Sequence, residues 1–194
     1  YMDEKDANKN PTGRRVTTND YSSADYYYVN KSSLPKVYGG FNTSLSWKGF
    51  DLSAIFAYSI GGYIYNRDIT MILHNGSLEG RDWSTEILKR WTPDNRYTDV
   101  PALSTTSNNW NSASTRFLQN NSYMRLKNLT LSYNLPKQWI SKLSLSSVQV
   151  YVQGDNLFTI HRNQGLDPEQ GITGITYYRY PAMRTISGGI NVSF

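Results

Sequence analysis

Acid–base chemistry has little to work with in this chain. Its histidines are His74 and His161, its 15 carboxylates are dispersed through polar loops, and neither an HExxH nor a GxSxG pattern occurs. Asp167 and Glu169 flank Pro168 in a turn, an arrangement that builds structure more often than it builds an acid/base pair. With no cysteine there is no disulfide, thiolate metal site or thiol nucleophile. Asp3, Asp6 and Asn8 loosely resemble a calcium loop, but the turn glycine at the sixth position and the distal bidentate Glu are missing. That stretch reads as a solvated loop, and no catalytic residue, metal site or cofactor is expected. What the loops do offer is aromatic surface at Trp83, Trp91, Tyr97, Trp110, Tyr177 and Tyr178. Flat rings of this kind stack on sugars or peptide groups, and they pack loops down equally well.

The net charge of +5 and pI near 9.3 raise the question of nucleic acid. Lys and Arg are scattered, however, with Arg14-Arg15 and Lys89-Arg90 the adjacent pairs, so no basic stripe forms and nucleic acid is not an expected partner.

The elements that position these loops are strands. Counting back from the C-terminus, Phe194, Val192, Ile190, Gly188 and Ile186 alternate with Ser193, Asn191, Gly189, Ser187 and Thr185. A period of two gives one oily and one polar face, the pattern of a membrane β-strand with lipid on one side and an aqueous lumen on the other. The composition agrees. Sixteen Tyr and five Trp accompany a mean hydropathy of −0.58, so aromatics are abundant where aliphatics are not, as in the aromatic girdles of outer-membrane barrels. No apolar run approaches the ~18 residues that a transmembrane helix needs.

The same alternation predicts a hairpin. Val37, Gly39, Phe41, Thr43, Leu45 and Trp47 restart after Lys48-Gly49 as Phe50, Leu52, Ala54, Phe56, Tyr58 and Ile60. A two-residue turn there pairs Trp47 with Phe50, Leu45 with Leu52, Thr43 with Ala54, Phe41 with Phe56 and Val37 with Ile60. A third strand spans Tyr123 to Leu135, with Leu129, Leu131, Tyr133 and Leu135 outward. Met124 and Leu126 sit on the wrong parity, which requires a bulge or a strand rising above the membrane. A fourth strand carries Val148, Val150 and Val152 outward and reaches Phe158; residues 185–194 make the fifth.

Between the strands, residues 1–35 read as a long polar loop, 66–122 as a long insertion and 161–176 as a shorter loop. Within the insertion Trp83, Ile87 and Trp91 recur at helical spacing, with Asp82 or Ser84 as N-cap and Pro93 as stop. Outer-membrane barrels have short periplasmic turns and long outer loops. With Phe194 at the periplasmic rim, 1–35, 66–122 and 161–176 all fall outside, while 48–49 and 136–146 fall inside. Five strands cannot close, since about eight is the practical minimum, so the chain is expected to be the C-terminal piece of a larger barrel. Its start, Tyr1-Met2-Asp3-Glu4-Lys5, has neither a charged n-region nor an apolar h-region, so a signal has been removed or the chain begins within a longer protein.

Several blocks of residues resemble one family. Lys36-Val37-Tyr38-Gly39-Gly40-Phe41 and Trp47-Lys48-Gly49-Phe50-Asp51-Leu52 are similar to the hairpin of SusC/RagA-type TonB-linked outer-membrane transporters of Bacteroidetes. Tyr123-Met124-Arg125-Leu126-Lys127-Asn128-Leu129-Thr130-Leu131-Ser132-Tyr133 resembles their "L-R-L-K-N" strand, and Asn156-Leu157-Phe158 their "N-L-F". Gly165-Leu166-Asp167-Pro168-Glu169 resembles "G-x-D-P-E", and Tyr180-Pro181 to Phe194 matches their terminus. Trp47 stands where Tyr is usual.

The resemblance implies an all-β protein, a transmembrane antiparallel β-barrel of about 22 strands in which these are the last five. It implies an N-terminal plug, energy from TonB, a SusD-like surface lipoprotein and import of oligosaccharides or peptides. The outward face meets outer-membrane lipid, and Ile190, Val192 and Phe194 form the signal for the barrel-assembly machinery. The six loop aromatics become candidates for facing the ligand. Two other functions fit less of this pattern: a TonB-dependent siderophore or metal-chelate receptor, and a soluble carbohydrate-binding β-sandwich.

Overall fold

The computed structural model describes every residue except 1, 19, 75–77, 79, 105–108, 164, 166 and 170, and leaves the side chains of Trp110 and Leu143 outside the description. In chain order the elements are β1 (Met2–Lys5), β2 (Pro11–Val16), β3 (Val37–Trp47), β4 (Phe50–Ile60), β5 (Tyr63–Asn66), α1 (Arg67–Ile72), β6 (Leu118–Asn120), β7 (Tyr123–Asn134), α2 (Lys137–Ile140), β8 (Ser147–His161), β9 (Ile175–Thr176) and β10 (Thr185–Ser193). They fall into two compact units. One comprises Ser32–Ile64, Gln119–Gly174 and Arg179–Phe194, the other Tyr1–Lys31, Tyr65–Leu118 and Ile175–Tyr178.

The first of these is a five-stranded antiparallel sheet in the order β10-β8-β7-β4-β3. The β3–β4 register is the predicted one throughout, from Trp47 opposite Phe50 to Val37 opposite Ile60. Its origin is the turn. Lys48 and Gly49 both have positive φ, 47° and 89°, the left-handed pair of a type I′ turn whose twist suits a tight hairpin. Gly49 is needed twice over, because a Cβ there would stand 3.1 Å from the Asn134 carbonyl oxygen.

The parity slip in β7 is a bulge. Against β4, Asn128 lies opposite Ile55 while Leu126 lies opposite Phe56, so Lys127 is the extra residue. On the other side β8 skips two residues, Asn156 and Leu157, at the same level, and Asn156 has φ 52°. The bulge returns Met124 and Leu126 to the apolar face with Leu129, Leu131 and Tyr133, and turns Arg125 to the polar one.

The two faces differ in kind. On the outward face Phe41, Leu45, Trp47, Leu52, Val152, Ile186 and Ile190 are all exposed, with Phe41 stacked on Phe56 at 4.7 Å between centroids. On the inward face side chains bond across strands. Asp51 accepts from Ser46 Oγ and from Asn134 Nδ2, Gln149 donates to Ser132 Oγ and accepts from Asn191, and Asn128 donates to Asp155. Eleven-residue strands at about 3.3 Å per residue, tilted by about 45°, rise about 25 Å, the height of a barrel's apolar band. Among the described residues β3 pairs with β4 alone and β10 with β8 alone, so both outer edges stay open.

In the other unit two expectations change. Residues 1–35, read as loop, contain a hairpin in which β1 and β2 pair antiparallel, Met2 opposite Val16 and Asp3 opposite Arg15. Asp6 builds its turn, its Oδ1 accepting from the Asn8 and Asn10 amides at 2.8 and 2.9 Å. Apart from Met2 and Val16, which face each other, both strands are largely polar, so no alternation announced them. The expected helix through Trp83, Ile87 and Trp91 shrinks to a 3-10 turn, Thr85–Lys89, capped by Ser84 Oγ. Only Ile87 of the three is buried, in a core with Leu73 and Val100 that Ile69 of α1 packs against.

Candidate functional site

The inward face is the surface with chemistry. At the end of the sheet away from the 48–49 turn, the bulge presents Arg125, whose residue is 3% exposed. Its Nη2 donates to Asp167 at 2.5 Å, its Nη1 to Glu169 at 2.8 Å and its Nε to Thr159 Oγ1 at 2.9 Å. Lys127, the bulged residue, reaches Glu169 from the side at 2.7 Å. Two cations of one strand thus clamp two carboxylates lying more than 40 residues further along the chain. Burial by itself would raise the Asp167 acid. The amides of Ala182 and Glu169, which donate to it, and the Arg125 guanidinium outweigh that, so Asp167 lies below the ordinary carboxylate range.

This cluster is a latch rather than an acid/base pair, as the turn around Pro168 led us to expect. It holds Asp167, Pro168 and Glu169 on the sheet, and Asn121 adds a hydrogen bond to the Pro168 carbonyl at 2.9 Å. Beneath the latched segment lies a cavity of about 300 Å³, lined among others by Tyr38, Ser59, Asn121, Tyr123, Pro168 and Ile172. Sequence reasoning missed both latch and cavity. The available signal was the parity slip at Met124 and Leu126, which placed Arg125 on the polar face two residues from Lys127.

Of the six candidate aromatics, the structure joins two. The Tyr177 and Tyr178 rings lie 4.2 Å apart at 50°, the Arg67 guanidinium stands 4.6 Å over Tyr177 and Arg81 Nη1 donates to the Tyr178 hydroxyl at 3.1 Å. Trp83 is instead tied to His74, its Nε1–H donating to Nδ1 at 3.1 Å. Trp91 is half-exposed and its amide bonds to the Val100 carbonyl, while Tyr97 is fully exposed. The side chain of Trp110 lies outside the described residues. Ile190, Val192 and Phe194 all point to the exposed outward face or beyond it. Among the described residues no group of three His, Asp or Glu side chains is placed to hold a metal.

A sheet with one bare apolar face, one hydrogen-bonded polar face and two open edges is a section of transmembrane β-barrel wall. No family model matches the chain, but its relatives agree with that class. It is 34% identical over 166 residues to the TonB-dependent receptor P3 of Formosa agariphila, covering 80% of this chain and 16% of that receptor. Over 168 residues it is 27% identical to the TonB-dependent receptor SusC of Bacteroides thetaiotaomicron, covering 86% of this chain and 16% of SusC. The RagAB peptide importer in its open-open state superposes on all of the chain with a TM-score of 0.79 at 34% identity, over 20% of the importer chain. The chain is a segment of a SusC/RagA-type TonB-dependent receptor, a family of receptors and importers rather than enzymes. It spans about a sixth of the length of the curated relatives it matches.

Proposed function

We propose that the protein containing this segment is a TonB-energised outer-membrane importer of oligosaccharides or peptides, working with a SusD-like surface lipoprotein. In this reading the five strands are the last of the barrel, 1–35, 66–122 and 161–176 face the cell exterior and the C-terminus faces the periplasm. The outward side chains lie in lipid, the inward network lines the lumen, and Ile190, Val192 and Phe194 are read by the barrel-assembly machinery. The observation that carries the reading is the two-faced sheet, whose entire length superposes on a peptide importer. The name of that importer favours peptides and the SusC relative leaves glycans open.

Two measurements test it. Protease added to intact cells should cut within 66–122 and spare Lys48-Gly49; cleavage at the hairpin turn in sealed cells overturns the orientation. Uptake of labelled oligosaccharides and peptides should stop when TonB is deleted, and undiminished uptake without TonB overturns the mechanism.

A further inference from the structure

We propose that the Tyr177–Tyr178 corner, flanked by Arg67 and Arg81, is a binding platform for a carboxylate-bearing ligand. This rests on the import reading, of which it would specify the cargo chemistry. The backbone supplies the first reason. Tyr178 has φ 49°, the left-handed region that a bulky side chain rarely enters and that persists only where surrounding contacts enforce it. Here the enforcement is visible. Asp68 Oδ1 accepts from the Tyr178 amide at 2.9 Å while its Oδ2 accepts from Thr176 Oγ1 at 2.7 Å, and Thr176 is fully buried beside Asn66 in the parallel β5–β9 pair. A buried base therefore holds a strained residue whose ring, like that of Tyr177, remains exposed. The strain serves no burial; it aims two rings outward.

The second reason is charge. Arg67 and Arg81 are both exposed residues, and among the described residues neither has a carboxylate within ion-pair distance. Asp68, the acid next to Arg67 in sequence, has both oxygens engaged by Thr176 and by the Tyr178 amide. Arg67 spends its flat face on Tyr177, and Arg81 spends one nitrogen on the Tyr178 hydroxyl. Each retains donors in the planar fork that matches a carboxylate in bidentate fashion. Rings beside the forks supply the apolar contact that a sugar ring or a peptide side chain needs. A site for neutral ligands would not require two cations that have no carboxylate partner among the described residues. Uronic acids and Asp- or Glu-containing peptides share the required chemistry.

The test uses the complete transporter in detergent and isothermal titration with four probes: hexagalacturonate, the neutral cellohexaose, an Asp-containing hexapeptide and its Asn counterpart. At least one anionic probe should bind more tightly than its neutral counterpart, with an affinity that falls as salt is raised. The better of the two identifies the source of the carboxylate. The R67Q/R81Q variant should lose about tenfold in that affinity, the change expected for forfeiting a charge-assisted hydrogen bond. Y178N, which places a residue tolerant of left-handed backbone at the corner, should keep or raise the melting temperature while weakening binding. A merely structural corner would not separate those two readouts. Charge-blind binding, no binding of either anionic probe, or affinities unchanged in R67Q/R81Q each overturn the platform. TonB-dependent uptake of neutral cargo would persist in those cases, so the import reading fails only by its own test.

Discussion

Replacing Arg125 with Met should release the turn formed by Asp167, Pro168 and Glu169 from the sheet. The substitution removes three hydrogen bonds, to Asp167, Glu169 and Thr159, and takes the guanidinium away from the Asp167 carboxylate, whose side chain is 6% exposed. Breaking a buried pair from one side costs about 3–5 kcal/mol. The lower end applies here. Asp167 keeps the Ala182 and Glu169 amides, and Glu169, a third exposed, keeps Lys127. About 3 kcal/mol is about a hundredfold in the local opening equilibrium. Hydrogen exchange at the Glu169 and Ala182 amides reads it directly, since both donate to Asp167. Adding D167N to R125M should recover most of the loss, because the buried Asp167 charge is then gone.

The folded protein lowers the Asp167 acid, so its contribution is complete above the unfolded carboxylate value and is lost as pH falls through the folded one, below about 4. In R125M the guanidinium no longer opposes burial and Asp167 takes up a proton at higher pH than in the unsubstituted chain, so acidification below about pH 4 should open the turn less steeply in R125M than in the unsubstituted chain. Exchange rates in R125M within about twofold of the original at neutral pH, or the same pH trend in both proteins, would refute the latch.

Three further outcomes follow from the sheet. F56R should cost roughly 2–4 kcal/mol and S44R far less, since Phe56 stacks on the outward Phe41 while Ser44 faces Ser53 on the polar side; equal losses of heat stability in detergent refute the assignment of faces. G49A should cost about 1–2 kcal/mol, because φ 89° and the Asn134 carbonyl both oppose a Cβ; an unchanged melting temperature would sink that account of the turn. Deleting Phe194, which stands almost fully exposed past β10, should lower the amount of protein recovered in the outer membrane, and unchanged recovery removes its role as an assembly signal.

The sequence by itself determined the five strands, the β3–β4 register and which face of each strand is oily. Those properties are local. A strand's faces alternate with period two, and Lys48-Gly49 allows one turn geometry, so neighbouring residues carry the whole specification. It also located the fault in β7, because Met124 and Leu126 break the alternation that Leu129 restores. The tertiary structure alone decided how that fault is resolved: Lys127 bulges against Ile55 and Phe56 on one side and against Asn156 and Leu157 on the other. It alone gave Arg125 its partners 42 and 44 residues away, and Asp68 its hold on Tyr178 across 110 residues. The β1–β2 hairpin was equally hidden, since Asp6 and polar cross-strand contacts hold it without any apolar periodicity. Burial patterns repeat along a chain and can be read there. Pairings between charged groups depend on where a fold returns, and no local spacing records that.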